Sequence, residues 1–111
     1  MFFLLNAQTD SEKDKTESVI INIPINKVKK DRSTEILLFS AYYYNRYIHL
    51  CNNSDSNALI TITNNATGDL IEDYCPYNST IRISLTAPHE GNYSIEIVTD
   101  EQDIYTGEFQ L

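Results

Sequence analysis

From residue 19 onward, apolar and polar residues alternate along most of the chain with a period of two. Residues 58–63 read ALITIT, with Ala58, Ile60 and Ile62 at every second position. Residues 80–85 repeat the pattern, with Ile81, Ile83 and Leu85 set against Arg82 and Ser84. Residues 92–99 do so with Tyr93, Ile95 and Ile97, and 104–111 offer Tyr105, Phe109 and Leu111 on one face with Gly107 between them. Side chains two positions apart share one face of a strand, so each run predicts a half-buried strand. Further strands are predicted over 35–44, 46–52 and 70–75. The first two form a hairpin turning at Asn45, with Ile48 and Leu50 on one face and Tyr47, His49 and Cys51 on the other. In 19–25 the isoleucines 21, 23 and 25 alternate with Asn22 and Pro24; Pro24 lacks a ladder donor, which places this strand at an edge. Polar clusters at 52–57, 64–69 and 100–103 separate the runs as turns, and no segment holds a helical period long enough to predict a helix. Seven or eight short strands separated by turns predict an all-β antiparallel sandwich, with a barrel as the lesser alternative.

One motif sharpens this. Gly91-Asn92-Tyr93-Ser94-Ile95 opens an alternating strand, and immunoglobulin-like sandwiches carry a tyrosine at such a corner two residues before the second cysteine of antibody domains. Here that position is Ile95. The expected fold is therefore an immunoglobulin-like antiparallel β-sandwich whose core closes by apolar packing rather than by the inter-sheet disulfide.

Length and charge bound the rest. A chain of 111 residues suits one domain. Its formal net charge of -8 is unevenly placed: residues 51–111 hold only Arg82 against ten acids. Such a surface repels phosphate backbones, and only the short basic run Lys27 to Arg32 speaks for nucleic acid, so no nucleic-acid partner is expected. Residues 1–8, MFFLLNAQ, read as the remnant of a secretory signal peptide, with small Ala7 near the cleavage point. Residues 9–18 read as a disordered polar leader, and 19–111 as the domain. The expected location is outside the cytoplasm: periplasmic, cell-surface or extracellular. No run approaches the roughly 20 apolar residues of a membrane span.

Candidate chemistry is sparse. Cys51 and Cys75 are the only cysteines; an exported chain admits one bridge between them, and two free thiols are equally open. Two cysteines and two histidines without paired ligand spacing do not make a zinc site, and no metal or cofactor is expected. His49 and His89 have no flanking nucleophile motif, so a small hydrolase using one of them with carboxylates brought near in space stands only as an alternative. Glu72 and Asp73 point to opposite faces of a strand and cannot act as a pair. Asp100, Glu101 and Asp103 share one turn but lack the calcium-loop signature, which favours a solvated turn. Tyr42, Tyr43, Tyr44 and Tyr47 are the candidate binding residues: Tyr42 and Tyr44 share a face and Tyr43 takes the other, so one side shows rings whichever side is buried. Tyrosine is also an ordinary strand residue, and packing competes with binding as the reason for the cluster.

Ile60-Thr61-Ile62-Thr63, the Gly68 turn, Leu70-Ile71, Ile81-Arg82-Ile83-Ser84-Leu85, Gly91-Asn92-Tyr93-Ser94-Ile95-Glu96-Ile97 and Tyr105-Thr106-Gly107-Glu108-Phe109 together resemble a family of small exported Bacteroidetes proteins grouped as a domain of unknown function. The resemblance covers about residues 36–111 and implies an immunoglobulin-like sandwich without an assigned activity or catalytic residue. The strand-turn-strand ending is also similar to C-terminal sorting domains of the type IX secretion system, although those follow a cargo domain and end on a basic strand. The functional expectation is an exported, non-enzymatic binding or structural module. Its partner would be a protein or glycan met through the tyrosine hairpin or an open edge strand, and an edge could also give a weak homodimer.

Overall fold

Where one face of a strand meets a core and the other meets water, alternation leaves a single register that buries the apolar set. The computed structural model, which describes residues 19–28, 38–85 and 90–111, shows this outcome. Its strands are β1 (Ile21–Ile23), β2 (Asn26–Lys27), β3 (Phe39–Tyr44), β4 (Tyr47–Asn52), β5 (Ala58–Asn64), β6 (Leu70–Cys75), β7 (Ser79–Ser84), β8 (Asn92–Thr99) and β9 (Ile104–Gln110). They form two antiparallel sheets, one of four strands in the order β1-β3-β4-β7 and one of five in the order β2-β9-β8-β5-β6. The architecture is the immunoglobulin-like sandwich. The expected signal remnant, the leader, the basic run from Lys29 and the start of the 35–44 strand lie outside the described residues.

The core sits between the sheets. Phe39, Ile48 and Leu50 from the four-stranded sheet meet Ile60, Ile62, Ile95 and Ile97 from the other, all essentially without solvent exposure. Each such side chain contributes about 1.5–3 kcal/mol by leaving water. Tyr93 stacks on Phe109 with ring centroids 5.2 Å apart, and the Asn64 Nδ2 donates to its hydroxyl at 3.4 Å. The expected corner tyrosine is thus held by a ring on β9 and an amide on β5, the two neighbours of its own strand in the sheet.

Two local features depart from expectation. The β3–β4 hairpin turns on Asn45 and Arg46, both at positive φ (54° and 72°), so Arg46 belongs to the turn rather than to the strand. Positive φ at both central residues is the type I′ geometry that matches strand twist. The 19–25 run, in turn, lies at an edge as expected but does not stay in one sheet, since β1 and β2 are each an edge strand of a different one. β1 pairs with β3 in one sheet and β2 pairs with β9 in the other, so the chain crosses between the sheets at Pro24. Ile23 and Ile25 on either side of Pro24 are buried. The crossing is possible because residue 107 is glycine: a Cβ there would run into the Pro24 carbonyl oxygen and press on Ile25 Cδ1 and Ile95 Cγ2, each 3.2 Å away.

Below the core, Asn52 replaces an apolar plug. Its fully buried side chain donates from Nδ2 to the carbonyls of Ser56 (2.9 Å) and Pro76 (3.1 Å), and its Oδ1 accepts from the Ser54 backbone N–H (2.9 Å) and hydroxyl (2.6 Å). One amide thereby joins the end of β4, the following turn and the exit from β6.

Candidate functional site

The outer face of the four-stranded sheet collects the aromatic residues. Alternation from buried Ala41 and Ile48 sends Tyr42, Tyr44, Tyr47 and His49 outward. The hairpin register makes Tyr42 the direct partner of His49 and Tyr44 that of Tyr47. Across β4, His49 lies opposite Arg82 of β7. The His49 ring lies nearly parallel to Tyr42, with centroids 4.6 Å apart, and has Tyr44 and Tyr47 at 6.4 Å and 6.3 Å. The Arg82 guanidinium sits 4.7 Å from the Tyr47 ring centroid, within cation–π range. His49 Nε2 is buried without a hydrogen-bond partner among the described residues. His89 lies outside the described residues.

Tyr43 is not part of this face. It points to the core side opposite Ile48 and packs against the core as a half-buried residue. Burial raises its phenol pKa first, with the nearby Arg46 charge acting in the opposite direction. Among the four tyrosines named from the sequence, the structure therefore gathers Tyr42, Tyr44 and Tyr47 and separates Tyr43. It brings in His49, which alternation sets on the face of Tyr47, and Arg82, which sequence reasoning did not place there. Alternation had already turned Arg82 outward; only the pairing of β4 with β7, distant in sequence, shows what it meets.

Cys51 and Cys75 are both free thiols, which leaves the bridge unformed. Their directions explain it. Cys51 follows His49 onto the outer side of β4, half-buried, whereas Cys75 is fully buried between the sheets with its thiol directed at the carbonyls of Pro76 (3.6 Å) and Ser79 (3.7 Å). Burial raises the Cys75 thiol pKa, and the neighbouring Cys51 adds to it.

In the acidic turn, Asp100 accepts a hydrogen bond from the Asn57 side chain at 3.3 Å. The Asp103 N–H donates to the Thr99 hydroxyl at 3.0 Å, and its carboxylate pairs with Lys27 at 3.7 Å. Among the described residues no three His, Cys, Asp or Glu side chains converge as a metal site, and no helix is long and apolar enough to cross a membrane. Strand β6 is an open edge of the five-stranded sheet.

Compared with known proteins, the chain matches no family model and no curated protein. Among solved structures it is similar to a DUF3244-family protein with an immunoglobulin-like β-sandwich fold from Bacteroides vulgatus. The TM-score is 0.66 at 21% sequence identity, covering 84% of this chain and 99% of that one. At that identity the likeness is one of fold, and it agrees with the Bacteroidetes sandwich family of unknown function to which the sequence motifs pointed.

Proposed function

We propose that this chain is an exported, non-enzymatic binding module that meets a protein partner through the outer face of its four-stranded sheet. The observation that carries the reading is the cluster of Tyr42, Tyr44, Tyr47, His49 and Arg82 on a sheet face that no other element of the described chain covers. Tyr and Arg are the residue types that most often anchor protein interfaces, since each offers a large contact area together with a polar tip. The way the rings stand favours protein over sugar. Tyr42 and His49 each cover one face of the other, and Arg82 covers one face of Tyr47, which leaves fewer open ring faces on which a sugar ring could stack.

The test is a pull-down and glycan-array screen with the purified chain, repeated with Tyr42→Ala, Tyr47→Ala and Arg82→Ala. Loss of a captured protein in all three variants, with no glycan signal, is the expected result. Undiminished capture by the variants would overturn the assignment of this face, and selective glycan binding would overturn the choice of partner.

A further inference from the structure

The outer face of the five-stranded sheet carries a second pattern, independent of the tyrosine cluster. Leu59 of β5 lies between Tyr74 of β6 and Val98 of β8, and Val98 lies opposite Ile104 of β9. The Val28 N–H donates to the Ile104 carbonyl at 2.8 Å, which brings Val28 to the end of the same row. One apolar residue from each strand, or from the end of β2, thus forms a continuous line across the sheet. At interstrand spacings of about 4.8 Å the line is roughly 19 Å long. It is not a buried row: Val28, Tyr74, Leu59 and Ile104 are 56%, 51%, 43% and 37% exposed.

The flanks of this line are acidic. The next outward row holds Glu72 and Glu96, each paired with Thr61 between them. On the other side, the β8–β9 turn carries Asp100, Glu101 and Asp103, of which Asp103 is already paired with Lys27. An apolar stripe between two acidic margins is complementary to a chain whose apolar side chains are bordered by lysine or arginine.

We propose that this face is a docking surface for a cationic amphipathic polypeptide segment laid across the strands. Its apolar side chains cover the line from Tyr74 to Val28, and its basic groups reach the carboxylates on both margins. A length of roughly 19 Å accommodates about 13 helical residues. Other occupants fit less well. A second copy set face to face would bring Glu72 and Glu96 against like charges. A glycan would find one aromatic ring and four aliphatic side chains along the line. Nucleic acid and anionic lipid are repelled by the same carboxylates.

The experiment uses a fluorophore-labelled synthetic 14-residue amphipathic Leu/Lys peptide, with a Leu/Glu peptide of identical pattern as control, titrated into the full chain by anisotropy at near-physiological salt. The Leu/Lys peptide should bind and the Leu/Glu peptide should not. The Leu59→Thr/Ile104→Thr variant, which keeps strand propensity, should weaken binding about tenfold or more. Glu72→Gln/Glu96→Gln should weaken it about threefold and flatten its salt dependence. Backbone amide shifts on the unsubstituted chain should move at Val28, Leu59, Tyr74, Val98 and Ile104 and not at Tyr42 or Arg82. Equal affinity for the Leu59→Thr/Ile104→Thr variant, shifts mapping to the other sheet, or a wild-type dimer that this variant dissolves would each overturn the proposal.

Discussion

The imidazole of His49 lies flat on the ring of Tyr42, its cross-strand partner, with planes 10° from parallel. Cross-strand aromatic pairs on an antiparallel ladder each stabilise it by roughly 0.2–1 kcal/mol. Tyr42→Ala should lower the unfolding free energy obtained from urea denaturation by an amount in that range and leave the fold intact. His49→Ala should cost less, because it also removes a buried Nε2 that has no partner. A double-mutant cycle should show favourable coupling between the two, and a coupling of zero would contradict the pairing.

Asn52 should be among the least replaceable polar residues of the domain. Asn52→Ala would leave the Ser56 and Pro76 carbonyls and the Ser54 N–H without their side-chain partner at a buried site. An unsatisfied buried group costs about 1–3 kcal/mol. We expect about 2–4 kcal/mol of lost stability in equilibrium unfolding, with Asn52→Asp worse because it introduces a buried charge. A loss below that of an ordinary surface substitution would refute the role.

Gly107→Ala tests the crossing at Pro24. The added methyl meets the Pro24 carbonyl oxygen, which is backbone and cannot swing aside as a flexible side-chain tip would. Overpacking of this kind costs roughly 1–3 kcal/mol. The effect should be local: hydrogen exchange should accelerate at Ile21, Ile23 and Val28, while the central β5 and β8 amides keep their protection. Uniform loss of protection across both sheets would argue against a separable segment.

Alkaline pH should destabilise the domain through one buried and one half-buried acid. Burial raises the pKa of the Cys75 thiol above its ordinary value of 9.0, and of the Tyr43 phenol above 10.0. In both cases the fold favours the neutral form, so the contribution is fully present below the unfolded-state pKa and is lost as pH rises through the folded-state value. Stability should therefore hold to about pH 8.5 and then fall. Cys75→Ala should remove the earlier part of the fall and Tyr43→Phe the later part. A flat profile between pH 8 and 11 in the unsubstituted chain would contradict both shifts.

Much of the fold was legible because β5, β7, β8 and β9 each have one face in the core and one in water. Ile60 and Ile62, Ile83 and Leu85, Ile95 and Ile97, and Tyr105 and Phe109 therefore declare themselves by spacing alone. Tyr93 was legible for a different reason, as a corner residue that needs both a ring neighbour and a polar contact. What stayed hidden depended on pairing between strands distant in sequence. Nothing local says that Arg82 of β7 stands beside His49 of β4, or that Leu59 and Ile104 belong to one line. Asn52 looked like part of a polar turn because its composition is that of its neighbours; only its burial distinguishes it. The isoleucines of residues 21–25 alternate in the same way whether the strand stays in one sheet or crosses to the other.

That crossing carries a consequence for the order of assembly. β1 and β2 come first among the described strands, yet the surface that receives Pro24 is made by Gly107 in the final strand, and β2 bonds only to β9. During synthesis the earliest of these segments must wait, unpaired on that side, until β9 has emerged. The clasp can close only on a finished sandwich, so a protein truncated before β9 would have nothing on which to latch it.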